Sequence, residues 1–172
     1  MSFHMHLRAV VEGEARAEAG WLETFMRDAW DVIEVEYAAG VAAAIEKDFG
    51  KLHELYEATR VVDPDAGPEW ELPVYGGRVV YRSDADRPPF MLLGASDVRA
   101  AAGFLAAADF EALWGEAGAK LAPLWKGRLE PAEAEEHKAL IKAHIRAHHD
   151  GLRAFYGRAA AAGHEVVKAY WY

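Results

Sequence analysis

The 172-residue chain contains no cysteine. That excludes disulfides, thiolate metal sites and a cysteine nucleophile, and it fits a reducing cytoplasm. Asparagine and glutamine are absent too, so two of the usual base-reading side chains are missing. Positive charge is scarce: the net charge of −9 opposes binding to nucleic-acid phosphates, which are held mainly by Lys and Arg. Hydroxyl nucleophiles are few, namely Ser2, Ser83, Ser96, Thr24 and Thr59, and no G-x-S-x-G elbow is present. Serine-hydrolase chemistry is thereby disfavoured. There is no P-loop and no G-x-G-x-x-G, and the glycines of "YGGRVV" belong to a turn. The most apolar run, "AAAGFLAAA" at 100–108, is far short of the roughly 20 residues of a membrane span. The opening "MSFHMHLRAVVEGE" lacks a basic region followed by an apolar run, so it does not read as a signal peptide.

What is present supports a core. The chain is 52% hydrophobic and carries six Trp, seven Tyr and seven Phe. A chain of this length buries roughly 70% of its unfolded surface, so a single globular domain over 1–172 is expected without covalent staples. The acidic surface suits solubility and would suit a basic protein partner.

Period two marks the first element. In "FHMHLRAVV", Phe3, Met5, Leu7 and Ala9 face one way and His4, His6 and Arg8 the other, the pattern of a half-buried strand. From Trp21 the period changes. Leu22, Phe25, Met26, Ala29, Trp30 and Ile33 fall on one helical face, with Gly40 as punctuation, and Val41, Ile45, Phe49, Leu52 and Tyr56 form a second helical stripe. "VVDPDAGPEWELP" is a turn-rich connector, "VYGGRVVYRS" reads as extended around Gly76-Gly77, and "FMLLG" reads as a short buried strand. Ser96 is placed to cap a helix running to about Ala107, with Asp97 in its first turn. Asp109 caps the next helix. Glu130-Pro131 opens a long C-terminal helix that Gly163 closes, with Asp150-Gly151 a point where it bends or breaks, and "HEVVKAYWY" is a final strand. The aromatic tail reads as the edge of a sheet core, with an exposed partner patch as the other option. The fold class expected is α+β, or layered α/β: a small mixed sheet that includes both terminal strands, as neighbours or nearly so, packed against several helices.

The chemistry is concentrated in "HKALIKAHIRAHHDGLRAFY", residues 137–156, which holds four of the eight histidines. At 100° per residue, His137, Ile141, His144, His148, Leu152 and Phe155 share a sector, and His149 turns off it. His144 and His148 are an i, i+4 pair, the spacing at which two imidazoles share one ion. Ile145 stands where H-E-x-x-H carries its glutamate, so further ligands must come from elsewhere: His53, or His4 and His6, are the available ones. The alternative is that both rings pack at the edge of the core. "HIRAHHDGL" also resembles the last-helix histidine pair of DinB-like metal-binding bundles, over fewer than ten residues, although terminal strands do not belong in a pure bundle.

Several separated motifs together resemble the YfbM-like family of bacterial proteins of unknown function. "SFHMHLRAV" resembles its opening strand. "EKDFGKLH", residues 46–53, resembles its D-K-x-W-x-x-L-H segment, with Glu46 for Asp and Phe49 for Trp. "ELPVYGGRVV" resembles its P-L-x-x-A-V-x-G-G stretch, "LLGASDVRAAAGFLAAADFEALW" its paired helices, and "LRAFYGRAAAAGHEVVKAY" its closing helix and strand. The resemblance implies one α/β domain, supplies no activity or cofactor, and leaves the stretch before the two glycines open between helix and strand. His53 is the matched residue best suited to a shared role, because packing there needs no histidine.

Two functional readings follow. The first is a non-enzymatic cytoplasmic protein-binding domain, in one version immunity-like against a basic partner, with no cofactor and with His53, His4 and His6 as candidate functional residues. The second is a small metal-binding protein or metal-dependent hydrolase, holding zinc or another divalent transition metal on His144, His148 and His53.

Overall fold

Both ends of the chain are β-strands, and they pair with each other. The computed structural model describes residues 4–84, 86–122 and 130–171. Strand β1 (His4–Val10) lies antiparallel to β5 (Glu165–Trp171), in register from His4 opposite Trp171 to Val10 opposite Glu165. Around this pair β2 (Ala42–Ile45), β4 (Phe90–Leu93) and β3 (Arg78–Val80) complete a five-stranded sheet in the order β2-β1-β5-β4-β3, antiparallel at every junction. Phe3 and Tyr172, at the outer ends of the expected terminal strands, lie outside the described residues.

Strand alternation sorts side chains onto two faces. Met5, Leu7, Met91, Leu93 and Val166 enter the larger core, beneath α3 (Phe49–Glu57), α5 (Ala95–Ala107), α6 (Phe110–Leu121) and α7 (Pro131–Ala161). Val10, Phe90, Leu92, Val167, Ala169 and Trp171 face the other way, against Leu22 and Met26 of α1 (Ala19–Asp28) and Ala29. The architecture is α+β with helices on both faces of the sheet. The aromatic tail is indeed core: Trp171 is buried in the second cluster and Tyr170 packs against the first.

Four local expectations change. The stripe at 21–33 is not one helix. It stops at Asp28, passes through a 3-10 turn (Ala29–Asp31) and restarts as α2 (Ile33–Ala39), because Asp28, Asp31 and the β-branched pair Val32-Ile33 are weak helix formers. The stripe from Val41 begins not as a helix but as β2. Gly40, at φ 71°, turns the chain back so that Ala9 N–H reaches Val41 O at 2.8 Å, and pairing with β1 overrides the weak preference of three alanines. Ser96 caps nothing: α5 starts at Ala95, with Gly94 at the cap position two residues earlier, and the serine sits exposed in its first turn. The short helix α4 (Thr59–Val62) and a 3-10 turn (Pro68–Glu71) lead to the paired glycines, so only Arg78–Val80 of the supposed extended stretch is strand.

The C-terminal half follows its sequence signals. Asp109 Oδ1 accepts from the backbone N–H of Glu111 and Ala112 at 3.0 and 3.2 Å and caps α6. α7 begins at Pro131, with the Glu133 side chain accepting from Glu130 N–H at 3.1 Å, and Gly163 at φ 70° terminates it. It continues unbroken through Asp150-Gly151 for 31 residues, roughly 46 Å at the usual rise. Its buried face is Ile145, His149, Leu152, Phe155, Tyr156 and Ala159. That is about 50° round the helix from the stripe that sequence spacing suggests, with Leu152 and Phe155 common to both.

The middle strand carries an unexpected charge-bearing side chain. Lys168 on β5 is fully buried, and its Nζ donates to Leu72 O and Gly76 O, both at 2.7 Å. Burial lowers its pKa well below the usual lysine range, which Asp97 only partly offsets. Tyr156 O–H donates to Pro73 O at 3.0 Å, so one turn at 72–76 is tied to both β5 and α7. Replacing Lys168 by Met removes the donor from two part-buried carbonyls. Leaving such a group unpaired costs about 1–3 kcal/mol. Urea denaturation of Lys168→Met is expected to show a loss of about 2–4 kcal/mol, and a loss under about 0.5 kcal/mol would mean the carbonyls find other partners.

Candidate metal centre

Asp48, His144 and His148 come together where the sheet edge meets the long helix. β2 ends at Ile45, and a short turn brings Asp48 to the start of α3. An aspartate there ordinarily caps the helix, but Asp48 makes no cap hydrogen bond. Its carboxylate reaches sideways instead: Oδ1 lies 2.8 Å from Lys51 Nζ and Oδ2 lies 2.9 Å from His144 Nε2. One turn on, His148 Nε2 stands 3.2 Å from His144 Nε2, with the rings edge to face at 83°. These three are the one group among the described residues in which three or more His, Asp or Glu offer ligand atoms within 4.8 Å of one another.

The spacing suits an ion. Ligand atoms at ~2.0–2.2 Å around a tetrahedral zinc stand roughly 3.3–3.6 Å apart, so a small opening of the triangle would admit one. The protonation states also suit it. For Asp48, partial burial works to raise the pKa, but the Lys51 hydrogen bond and charge, with His144, outweigh it and the net shift is downward. His148 is lowered by burial and by His144, against the pull of Asp48 and Glu46. An ionised carboxylate and a neutral imidazole are the forms that ligate.

A groove runs from this point along the free edge of β2. His148 lines one end, Ala42, Ala43, Ala44 and Gly151 its small-residue walls, and Tyr37 and Arg158 the other end, around a cavity of about 360 Å³. Arg158 is fixed by its Nε, which donates to Gly40 O at 3.1 Å.

The remaining histidines go elsewhere. His53 is on α3 but five residues past Asp48, about 140° round the helix. Its ring packs against Tyr75 and Trp70 at 4.5 and 5.3 Å, so the residue that joins the pair is Asp48 rather than His53. Its pKa is lowered by burial, against the pull of Glu57 and Glu71. His4 is half-exposed at the start of β1. His6 faces neither solvent nor groove: it is buried beneath α2, stacked 3.9 Å from Trp171, with Nδ1 3.0 Å from the Tyr37 hydroxyl. His149, far from turning off the helix's buried face, lies on it, with Nδ1 3.2 Å from the buried Tyr56 hydroxyl. Of the pair itself, His144 is exposed and His148 half-buried, both outside the packed ridge. Asp48 was missed because its only sequence signal is an acid before a helix, which reads as a cap.

A family model described as "Domain of unknown function (DUF1877)" matches residues 1–168. Nothing matches among curated proteins or among solved structures.

His6 makes the fold sensitive to acid. Burial, then Arg8 and His4, bring its pKa down from 6.5 to about 4. The unfolded chain therefore binds a proton between these values that the folded chain refuses, and stability is lost as pH falls from about 6.5 towards 4. Urea unfolding at pH 7 and pH 4.5 is expected to show that wild type loses about 2–3 kcal/mol more than His6→Phe over this interval. Equal losses would contradict the assignment.

Proposed function

The chain belongs to the DUF1877 family, and we propose that it is a metal-binding protein that holds zinc or another divalent transition metal on Asp48, His144 and His148. The reading rests on one observation: three ligand atoms of the right chemistry converge at the surface, with the two ring nitrogens 3.2 Å apart and one of them 2.9 Å from Asp48. Two imidazoles and a carboxylate suit zinc, iron, nickel and manganese better than calcium or magnesium. Three protein ligands leave a position for water, the arrangement of a hydrolytic rather than a closed structural site. The groove beside His148 gives that position room for a substrate. The finer placement among YfbM-like bacterial proteins, and in the cytoplasm, is our reading of the ordered motifs and the lack of cysteine.

Isothermal titration of tag-free apoprotein with zinc is expected to show one ion per chain. Asp48→Ala, His144→Ala and His148→Ala should each weaken binding by at least about tenfold, and His53→Ala should leave it unchanged. Absence of binding, or equal binding by Asp48→Ala, would overturn the reading.

A second reading, an acidic protein-binding domain of immunity-like role, is favoured by one surface. On and around α2, Val32, Val35 and Tyr37 are 38%, 70% and 38% exposed, and they are bordered by the exposed Asp31 and Glu34. An apolar patch with an acidic rim fits a basic partner. A pull-down from the native host should then recover a basic protein with wild type and lose it with Val35→Lys. Recovery of nothing specific by wild type would count against this second reading.

A further inference from the structure

On the opposite side of the sheet from the candidate metal centre, α1, the turn after it and the loop between β3 and β4 enclose a cleft of about 300 Å³. Three arginines line it: Arg27 from α1, and Arg82 and Arg87 from the loop. In a chain of net charge −9 this is a local reversal of sign. Among the described residues Glu23 is the one carboxylate in the lining. The acids paired with Arg27 and Arg87 are held loosely. Asp28 is 3.8 Å from Arg27 and Asp84 is 3.5 Å from Arg87, with all four side chains more than half exposed. Exposed pairs of this kind contribute little, so an anion can replace them. Arg82 is better fixed, its guanidinium 4.1 Å above the Phe90 ring.

The other wall is aromatic. Trp171 is stacked between His6 at 3.9 Å and Trp30 at 4.2 Å. Trp30 ends the stack with 51% of its surface exposed. A half-open indole at the end of an ordered stack, beside three guanidinium groups, presents both an aromatic contact and planar anion donors. The volume is at the small end for ligand sites, which limits the occupant to about one ring system with one anionic group.

We propose that this cleft binds a small aromatic anion, a planar ring carrying a phosphate or carboxylate, with the ring against Trp30 and the anion among Arg27, Arg82 and Arg87. The site is separate from the candidate metal centre and does not depend on it.

Calorimetric titration with phenyl phosphate, adenosine 5′-monophosphate and indole-3-carboxylate tests the class. Inorganic phosphate and adenosine serve as the anion alone and the ring alone. At least one of the three joined ligands should bind about tenfold or more tightly than either half, and the preferred one identifies phosphate or carboxylate, single ring or nucleotide. Arg87→Ala and Arg27→Ala, both at exposed positions, should weaken that binding by about tenfold with the unfolding temperature unchanged. Trp30→Ala should weaken it as well, with circular dichroism confirming the fold. Asp48→Ala should leave it intact, which separates this site from the metal reading. No saturable binding of any joined ligand at millimolar concentration would overturn the proposal. So would inorganic phosphate binding as tightly as the joined ligands, or arginine variants that bind unchanged.

Discussion

The ladder between β1 and β5 is the constraint on which the rest depends. It joins the first strand to the last, from His4 opposite Trp171 to Val10 opposite Glu165. Closing so long a loop carries an entropic cost that local helices do not meet, so this pairing is where folding is expected to be slow. Once formed, it fixes both cores, since each strand sends alternate side chains to the two faces. It also carries both halves of the candidate metal centre. β2 hangs on the outer side of β1 and delivers Asp48, while α7 runs directly into β5 and carries His144 and His148. Two groups far apart in the chain meet because their elements are attached to neighbouring strands.

The polar groups held inside this frame differ from those at its rim. Lys168 has two carbonyl acceptors, His149 has the Tyr56 hydroxyl, and His6 has the Tyr37 hydroxyl and the Trp171 ring. Each completes a packing contact, and their perturbed titration follows from burial. Arg8 does similar work on the second face, where it pairs with both Glu36 oxygens, sits 4.2 Å from the Phe25 ring and draws the α1–α2 layer onto the sheet. At the rim, outside the packed ridge, His144 and His148 turn ring nitrogens toward one another and His144 toward Asp48. That contrast, more than the number of histidines, separates a candidate ligand set from core histidines.

Much of this was legible in the sequence where local signals and tertiary contacts agree. The strict alternation of "HMHLRAV", the Asp109 cap, the Pro131 start and the Gly163 stop all mark real boundaries. The misreadings share a physical cause. "VAAAI" has the composition of a helix and becomes a strand only because β1 lies beside it. The buried face of α7 lies about 50° round from the expected stripe, enough to put His149 on it in place of His148 while Leu152 and Phe155 stay. Asp48 could not be paired with His144 from spacing, because their meeting is a property of sheet order. The arginine and indole cleft is of the same kind, assembled from α1, the β3–β4 loop and the last strand.

The central claim is that Asp48, His144 and His148 bind one ion. Anomalous diffraction from crystals of tag-free protein grown with zinc, measured on both sides of the zinc edge, tests it most directly. A peak is expected within ~2.0–2.2 Å of an Asp48 carboxylate oxygen and of the Nε2 atoms of His144 and His148. Zinc bound elsewhere with that position empty, or ring nitrogens turned away from one another, would contradict it.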